Sequence, residues 1–161
     1  MSDEATPACM LCRVPEIDAQ LDREEVWRNE HWRLSMARTG NTLGFAYLEP
    51  IRHVPYLADL EGEESVTFGP AIAKASRVLR EATGGALVYA YVFGGGIAHV
   101  HVHLAPNAPE GILNTELITG RVEHRKLPSG ATEMTSLDHP ELPAEEILAV
   151  IERVRQRMAD G

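Results

Sequence analysis

The chain has 161 residues, a length that suits one domain with a sizeable core. Hydrophobic residues make up 44 % and charged residues 24 %, close to globular averages, which excludes wholesale disorder, collagen and low-complexity architectures. A net charge of −9, from 24 acids against 15 Lys and Arg, disfavours a general attraction to nucleic acid or anionic membranes while allowing a local basic site.

The first twenty residues carry acids early and no uninterrupted apolar run, so they read as neither a secretory signal nor a transit peptide, and a cytoplasmic protein is expected. No window approaches the apolar length of a membrane-spanning helix. Residues 1–8 are small and polar and are expected to fray. The two cysteines, Cys9 and Cys12, are spaced for a metal knuckle or a redox pair rather than for a disulfide scaffold.

Glu25–Asn29 and His31–Ala37, which carry Trp27 and Trp32, read as a strand hairpin split at Asn29-Glu30. Arg38–Thr42 is a turn. Gly44–Leu48 resumes as a strand that stops at Glu49-Pro50, where a ring nitrogen cannot donate to a ladder, and Arg52-His53 sit at its exit. From Glu63 to Thr83 the positions Phe68, Ile72, Ala75, Leu79 and Ala82 line one helical face, which Gly84-Gly85 ends. Pro70 lies inside that pattern, so a kink or a late helix start is expected there.

Ala86–Phe93 and Ile97–Ala105 are the two best strands, joined by Gly94-Gly95-Gly96 as a glycine-rich hairpin. Residues 106–142 are rich in proline and polar side chains, with one short extended piece at Glu116–Lys126. Pro143 sets the first turn of a last helix, with Glu145 and Glu146 near its start and Arg153, Arg155 and Arg157 at its other end. Its buried stripe is Ile147, Ile151, Val154 and Met158. Strands followed by hairpins and two helices give an antiparallel α+β domain over residues 9–161.

His99-Val-His-Val-His103 puts three imidazoles at alternate positions of a strand, so that they share a face opposite Val100 and Val102. Residues i and i+4 of a strand lie roughly 13 Å apart, so the three cannot all bind one ion. One must do something else. A neutral imidazole can attack phosphorus without a separate base, provided its second nitrogen is held by an acceptor. Donors must also face the phosphoryl oxygens, and a neighbouring imidazole and the N–H groups of Gly94, Gly95 and Gly96 are suited to that. Cys9 and Cys12 offer two soft ligands, with His53 and His99 as candidates for the other two positions of a closed, structural zinc site. A thioredoxin-like redox pair would sit at a strand-to-helix junction of a βαβ unit, which this sequence lacks.

The segment Gly95–Pro106 resembles the histidine triad motif, alternating histidine with hydrophobic residues and ending in proline. Gly44–Leu60 is similar to the second conserved block of that superfamily, a strand with a Pro-x-x-His and a lead into the long helix. The Cys-x-x-Cys resembles the zinc-bearing branch and its relatives, the galactose-1-phosphate uridylyltransferases. The resemblance covers residues 9–106, with 107–161 as a variable C-terminal extension. It implies an antiparallel β-meander with one long helix and a C-terminal helix, in a homodimer that hydrolyses or transfers nucleoside monophosphate groups through a nucleotidyl-histidine. His101 would be the nucleophile and His103 the phosphate contact, with His99 holding zinc beside Cys9, Cys12 and His53. Phe93–Ala98 departs from the better-known branches by offering only backbone donors. Ala37 falls where many members hold the ribose with an acid.

His31, His124 and His139 read as surface or loop histidines, and Arg121, Arg125 and Lys126 as solvated charge. Trp27 and Trp32 read as core or dimer contacts, while Trp32 or Phe45 would suit the wall of a nucleoside pocket. Beside the nucleotidyl-histidine reading stand two others. One is a zinc-dependent hydrolase with an open site at His99 and His101; the other is a non-catalytic, zinc-stabilised module that binds a nucleotide or a partner protein.

Overall fold

The structure is a computed structural model that describes residues 9–85, 87–108, 122–128, 130 and 132–160. Five antiparallel strands form the main sheet: β1 (Arg23–Arg28), β2 (Trp32–Ala37), β3 (Ala46–Pro50), β4 (Leu87–Tyr91) and β5 (Val102–Asn107), in the order β1-β2-β3-β5-β4. Helices α1 (Glu16–Gln20), α2 (Gly62–Thr83) and α3 (Ala144–Ala159) complete the fold, with a two-stranded sheet of β6 (Val122–Lys126) and β7 (Thr132–Ser136).

Alternation in the strands decides which side each residue faces. Leu34 and Met36 of β2, Leu48 of β3, and Val102 and Leu104 of β5 point to one side and are fully buried. There they meet Ala75, Leu79 and Ala82 of α2 and Ile147, Val150, Ile151 and Val154 of α3. The opposite side carries the intervening residues: Arg33 and Ser35, Tyr47 and Glu49, and His103. One cross-strand row there runs Ser35, Tyr47, His103, Tyr91.

The antiparallel α+β architecture, the long helix and the C-terminal helix agree with expectation, while several boundaries differ. The first hairpin begins at Arg23 rather than Glu25, with a bulge between Glu25 and Trp27. The third strand starts at Ala46, because Gly44 sits at φ +79 and Phe45 N–H turns back to the Thr42 carbonyl. Helix α2 starts at Gly62 and runs through Pro70, so the late start is corrected. The carbonyl that Pro70 cannot bond is that of Val66, a residue 71 % exposed, where water can take the bond. Gly84 ends the helix in the left-handed conformation at φ +68.

The glycine hairpin is also corrected. Strand β4 ends at Tyr91, β5 begins at Val102, and Tyr91 pairs with His103. The connection therefore spans residues 92–101, and Gly94, Gly95 and Gly96 form part of it rather than the whole. Two causes keep 97–101 out of the ladder. The neighbouring strand β3 ends at Pro50, which has no N–H to offer. Val100 N–H instead donates to the Val54 carbonyl at 2.8 Å.

Pro143 caps α3 from outside rather than entering its first turn. The arginines of α3 tie elements together: Arg153 donates to the Ala82 carbonyl at 3.1 Å, Arg155 pairs with Glu24 and Glu152, and Arg157 pairs with Glu81. Trp32 is completely buried, its indole N–H donating to Thr67 Oγ at 2.9 Å, so it belongs to the core and not to a pocket wall. Residues 1–8, Arg121 and the first part of the extended piece at 116–126 lie outside the described residues. No helix of the described residues is long and apolar enough to cross a membrane.

Candidate active site and metal centre

Four of the expected ligands converge. Cys9 precedes and Cys12 ends a single helical turn, Met10–Cys12, His53 follows the end of β3, and His99 lies ahead of β5. From His99 Nδ1 it is 3.4 Å to Cys9 Sγ, 3.4 Å to Cys12 Sγ and 3.4 Å to His53 Nδ1, and Cys12 Sγ is 3.7 Å from His53 Nδ1. All four donor atoms lie within 4.8 Å of one another. A tetrahedral zinc with bonds of about 2.0–2.3 Å needs donor spacings of roughly 3.3–3.8 Å, and two thiolates with two imidazoles are its ordinary ligand set. The donors therefore fit zinc.

The surrounding shell fits as well. His99 Nε2 donates to the Pro50 carbonyl at 3.1 Å, which leaves Nδ1 with a lone pair aimed at the cluster. Burial holds the His99 imidazole below the ordinary histidine range. Burial and the neighbouring Cys9 push the Cys12 thiol up to about 11, so a metal would have to displace its proton. His101 is not one of the converging groups.

His101 turns the other way. Its Nδ1 donates to the His99 carbonyl at 2.6 Å, so the neutral ring carries its proton there and presents the Nε2 lone pair. Its centroid is 5.2 Å from that of His103. His103 lies flat against Tyr91, with centroids 4.9 Å apart and 6° between the planes. Phe45, Tyr47 and Phe93 surround the same ring at 5.9, 5.4 and 5.7 Å. Burial first, then the neighbouring His101, pushes the His103 imidazole down to about 4. His103 is thus neutral, and its Nδ1 has no hydrogen-bond partner among the described residues.

Of the residues expected to meet substrate, Phe45 is brought to His103, and Gly94, Gly95 and Gly96 follow directly on Phe93. A side chain built on any of these three glycines would meet nothing within 4 Å, so their backbone faces open space. Ala37 N–H donates to the Phe45 carbonyl at 3.0 Å, which puts an alanine beside the aromatic wall. Trp27 packs against the core under the Lys74 ammonium, His31 lies in the β1–β2 turn beside Glu30, and His124 lies exposed on β6. Arg125 and Lys126 are exposed on the same strand.

Sequence reasoning missed the charged layer beneath the triad. Arg23 Nε donates to Asp18 at 2.7 Å and its two terminal nitrogens to Glu49 at 2.6 and 3.2 Å, while Arg33 reaches both Asp18 oxygens at 2.6 and 2.7 Å. All four residues are buried. Arg33 and Glu49 alternate with core residues along their strands, the pattern of a solvated face. Only the packing of α1 against β1, which brings Asp18 over that face, makes it an interior.

Protein-family models and curated proteins yield no match to this chain, whereas solved structures do. A histidine triad protein from Bradyrhizobium japonicum superimposes with a TM-score of 0.66 at 16 % identity, over 85 % of this chain and 91 % of the other. A zinc-bound histidine triad family protein from Mycobacterium smegmatis gives 0.62 at 15 % identity, over 96 % and 98 %. A hypothetical histidine triad nucleotide-binding protein from Sulfolobus tokodaii gives 0.63 at 14 %, over 94 % and 93 %. The chain has the histidine triad fold.

Proposed function

We propose that this protein is a nucleotide hydrolase or nucleotidyltransferase of the histidine triad type. It would act on the α-phosphate of a dinucleoside polyphosphate, a nucleoside phosphoramidate or a nucleotide sugar. The observation that carries this reading is the bond from His101 Nδ1 to the His99 carbonyl, which aims the opposite nitrogen outward as a nucleophile.

In the first step His101 Nε2 attacks the α-phosphorus, a P–N bond forms, and the bond from phosphorus to the leaving group breaks with its electron pair going to that group, which takes a proton from solvent. In the second step water attacks the same phosphorus and gives up a proton to solvent, the P–N bond breaks with its electron pair returning to Nε2, and nucleoside monophosphate leaves with neutral His101 restored. Neutral His103 would contact a phosphoryl oxygen, and backbone N–H groups of Gly94, Gly95 and Gly96 would hold the charge. Phe45 would line the nucleoside side.

Cys9, Cys12, His53 and His99 would hold zinc in a closed site, where it would staple the N-terminal segment to the loop before β5 and supply no bound water for chemistry. His101, directed to the His99 carbonyl, is poorly placed to share an open catalytic zinc. We further propose a cytoplasmic homodimer acting on a small phosphate compound, with neither nucleic acid nor membrane as partner. The net charge of −9 supports the last point.

The test is hydrolysis of adenosine phosphoramidate, diadenosine polyphosphate and a nucleotide sugar by the protein and by His101→Ala. Turnover lost in the variant, with fold and zinc retained, supports the reading; equal turnover in both sinks it. A second reading, a zinc-stabilised binding module, draws on Ala37 and on a loop of Gly94, Gly95 and Gly96 that brings no side chain to a phosphate. Micromolar nucleotide binding without turnover would favour it.

A further inference from the structure

Arg23 is 2 % exposed at its side chain, and a guanidinium so buried is costly unless its donors are placed. Three of its nitrogens are placed: Nε on Asp18 at 2.7 Å, Nη1 and Nη2 on the two Glu49 oxygens at 2.6 and 3.2 Å. Bonds made in different directions within one plane fix that plane, which a lysine ammonium cannot do. The flat face so fixed lies over Tyr47, with 5.2 Å from the guanidinium carbon to the ring centroid, within the range of a cation–π contact.

Tyr47 passes the constraint on. It is the cross-strand partner of His103, and its ring stands at 64° to the imidazole with centroids 5.4 Å apart. Tyr91 stacks on His103 from the β4 side, and Phe45 and Phe93 close around the same imidazole. Of these four aromatic contacts, that of Tyr47 is anchored by a charge. Asp18 is held independently, because Arg33 also donates to both of its oxygens.

We propose that Arg23 is a positioning residue for the triad: through Tyr47 it fixes the His103 ring, so that a cation on β1 sets the third histidine of the triad, on β5, across two intervening strands. Asp18 and Glu49 are the clamps that make it rigid. The inference rests on the role given above to His103, but its test reads the His103 ring itself.

The experiment is side-chain nitrogen NMR of histidine in the zinc-loaded full chain. Arg23→Lys keeps the charge and loses the planar fork, so a change cannot be ascribed to lost charge. The His103 signals, assigned by their disappearance in His103→Gln, are expected to shift by more than a linewidth or to broaden, while those of His31 and His124 stay in place. Asp18→Asn loosens the same fork with Arg23 and Tyr47 unchanged; it should displace the same signals to a smaller extent, and it serves if the lysine variant does not fold. A purely structural Arg23 would lower the melting temperature and leave the His103 signals where they are, which would overturn the proposal. No substrate is involved, so this result and the search for turnover fail or succeed separately.

Discussion

His101 Nδ1 lies 2.6 Å from the carbonyl oxygen of His99, two residues back along the same loop. His99 gives its own side chain to the cysteine cluster and its backbone to the next histidine. The link between metal centre and candidate nucleophile is therefore one peptide carbonyl. Loss of a cluster ligand should disturb the His101 tautomer only as far as that carbonyl moves.

Removal of zinc with a chelator is expected to lower the melting temperature by about 10 °C, the equivalent of roughly 3 kcal/mol for a chain of this size. Cys12→Ser should do the same. Differential scanning calorimetry checks the shift, and turnover measured well below the new transition should persist. Immediate loss of turnover in a chelated but folded protein would instead favour catalysis by the metal.

Gly44 adopts φ +79, and a Cβ there would come within 2.6 Å of Thr83 Cγ2 and 3.2 Å of Pro106. Thr83 cannot easily rotate away, because its hydroxyl donates to the Leu79 carbonyl at 2.8 Å. Gly44→Ala should cost about 3 kcal/mol in urea unfolding. Gly95→Ala, in open space at a conformation any residue adopts, should stay within about 0.5 kcal/mol. Equal costs at the two positions would contradict the packing described.

The folded His103 takes up a proton only near pH 4, whereas an unfolded histidine does so near pH 6.5. Between those values the unfolded chain binds the extra proton. The His103 contribution is accordingly complete above about pH 6.5 and is lost as pH falls towards 4, by an amount on the order of 3 kcal/mol. Melting temperatures measured across that interval should fall less steeply in His103→Phe than in the unmodified protein. Parallel slopes would show that His103 does not resist protonation in the fold.

Much of this was legible in the sequence where a residue's role depends on its near neighbours. The step of apolar positions from Phe68 to Ala82 marks α2, and the alternation of histidine with Val100 and Val102 separates the two faces of the strand that carries His103. Cys9, Cys12, His53 and His99 were legible as one cluster because thiols and imidazoles in that number have few uses. What depends on tertiary covering was not. Arg33 and Glu49 look like solvated residues until α1 brings Asp18 over them, and Tyr47 and Tyr91 look like ordinary strand aromatics until register sets them on either side of His103. The glycine run reads as a hairpin between two longer strands because nothing local reveals that Val100 bonds to Val54 instead of to a strand partner. The β6–β7 hairpin had no strong alternation to announce it.

The most direct test of the account is to mix the protein with a nucleoside phosphoramidate, quench within the first turnovers in denaturing base, and weigh the peptides by mass spectrometry. The account predicts one added nucleoside monophosphate on the peptide that carries His101, absent in His101→Ala. Turnover with no covalent adduct, or an adduct on any other residue, would contradict it.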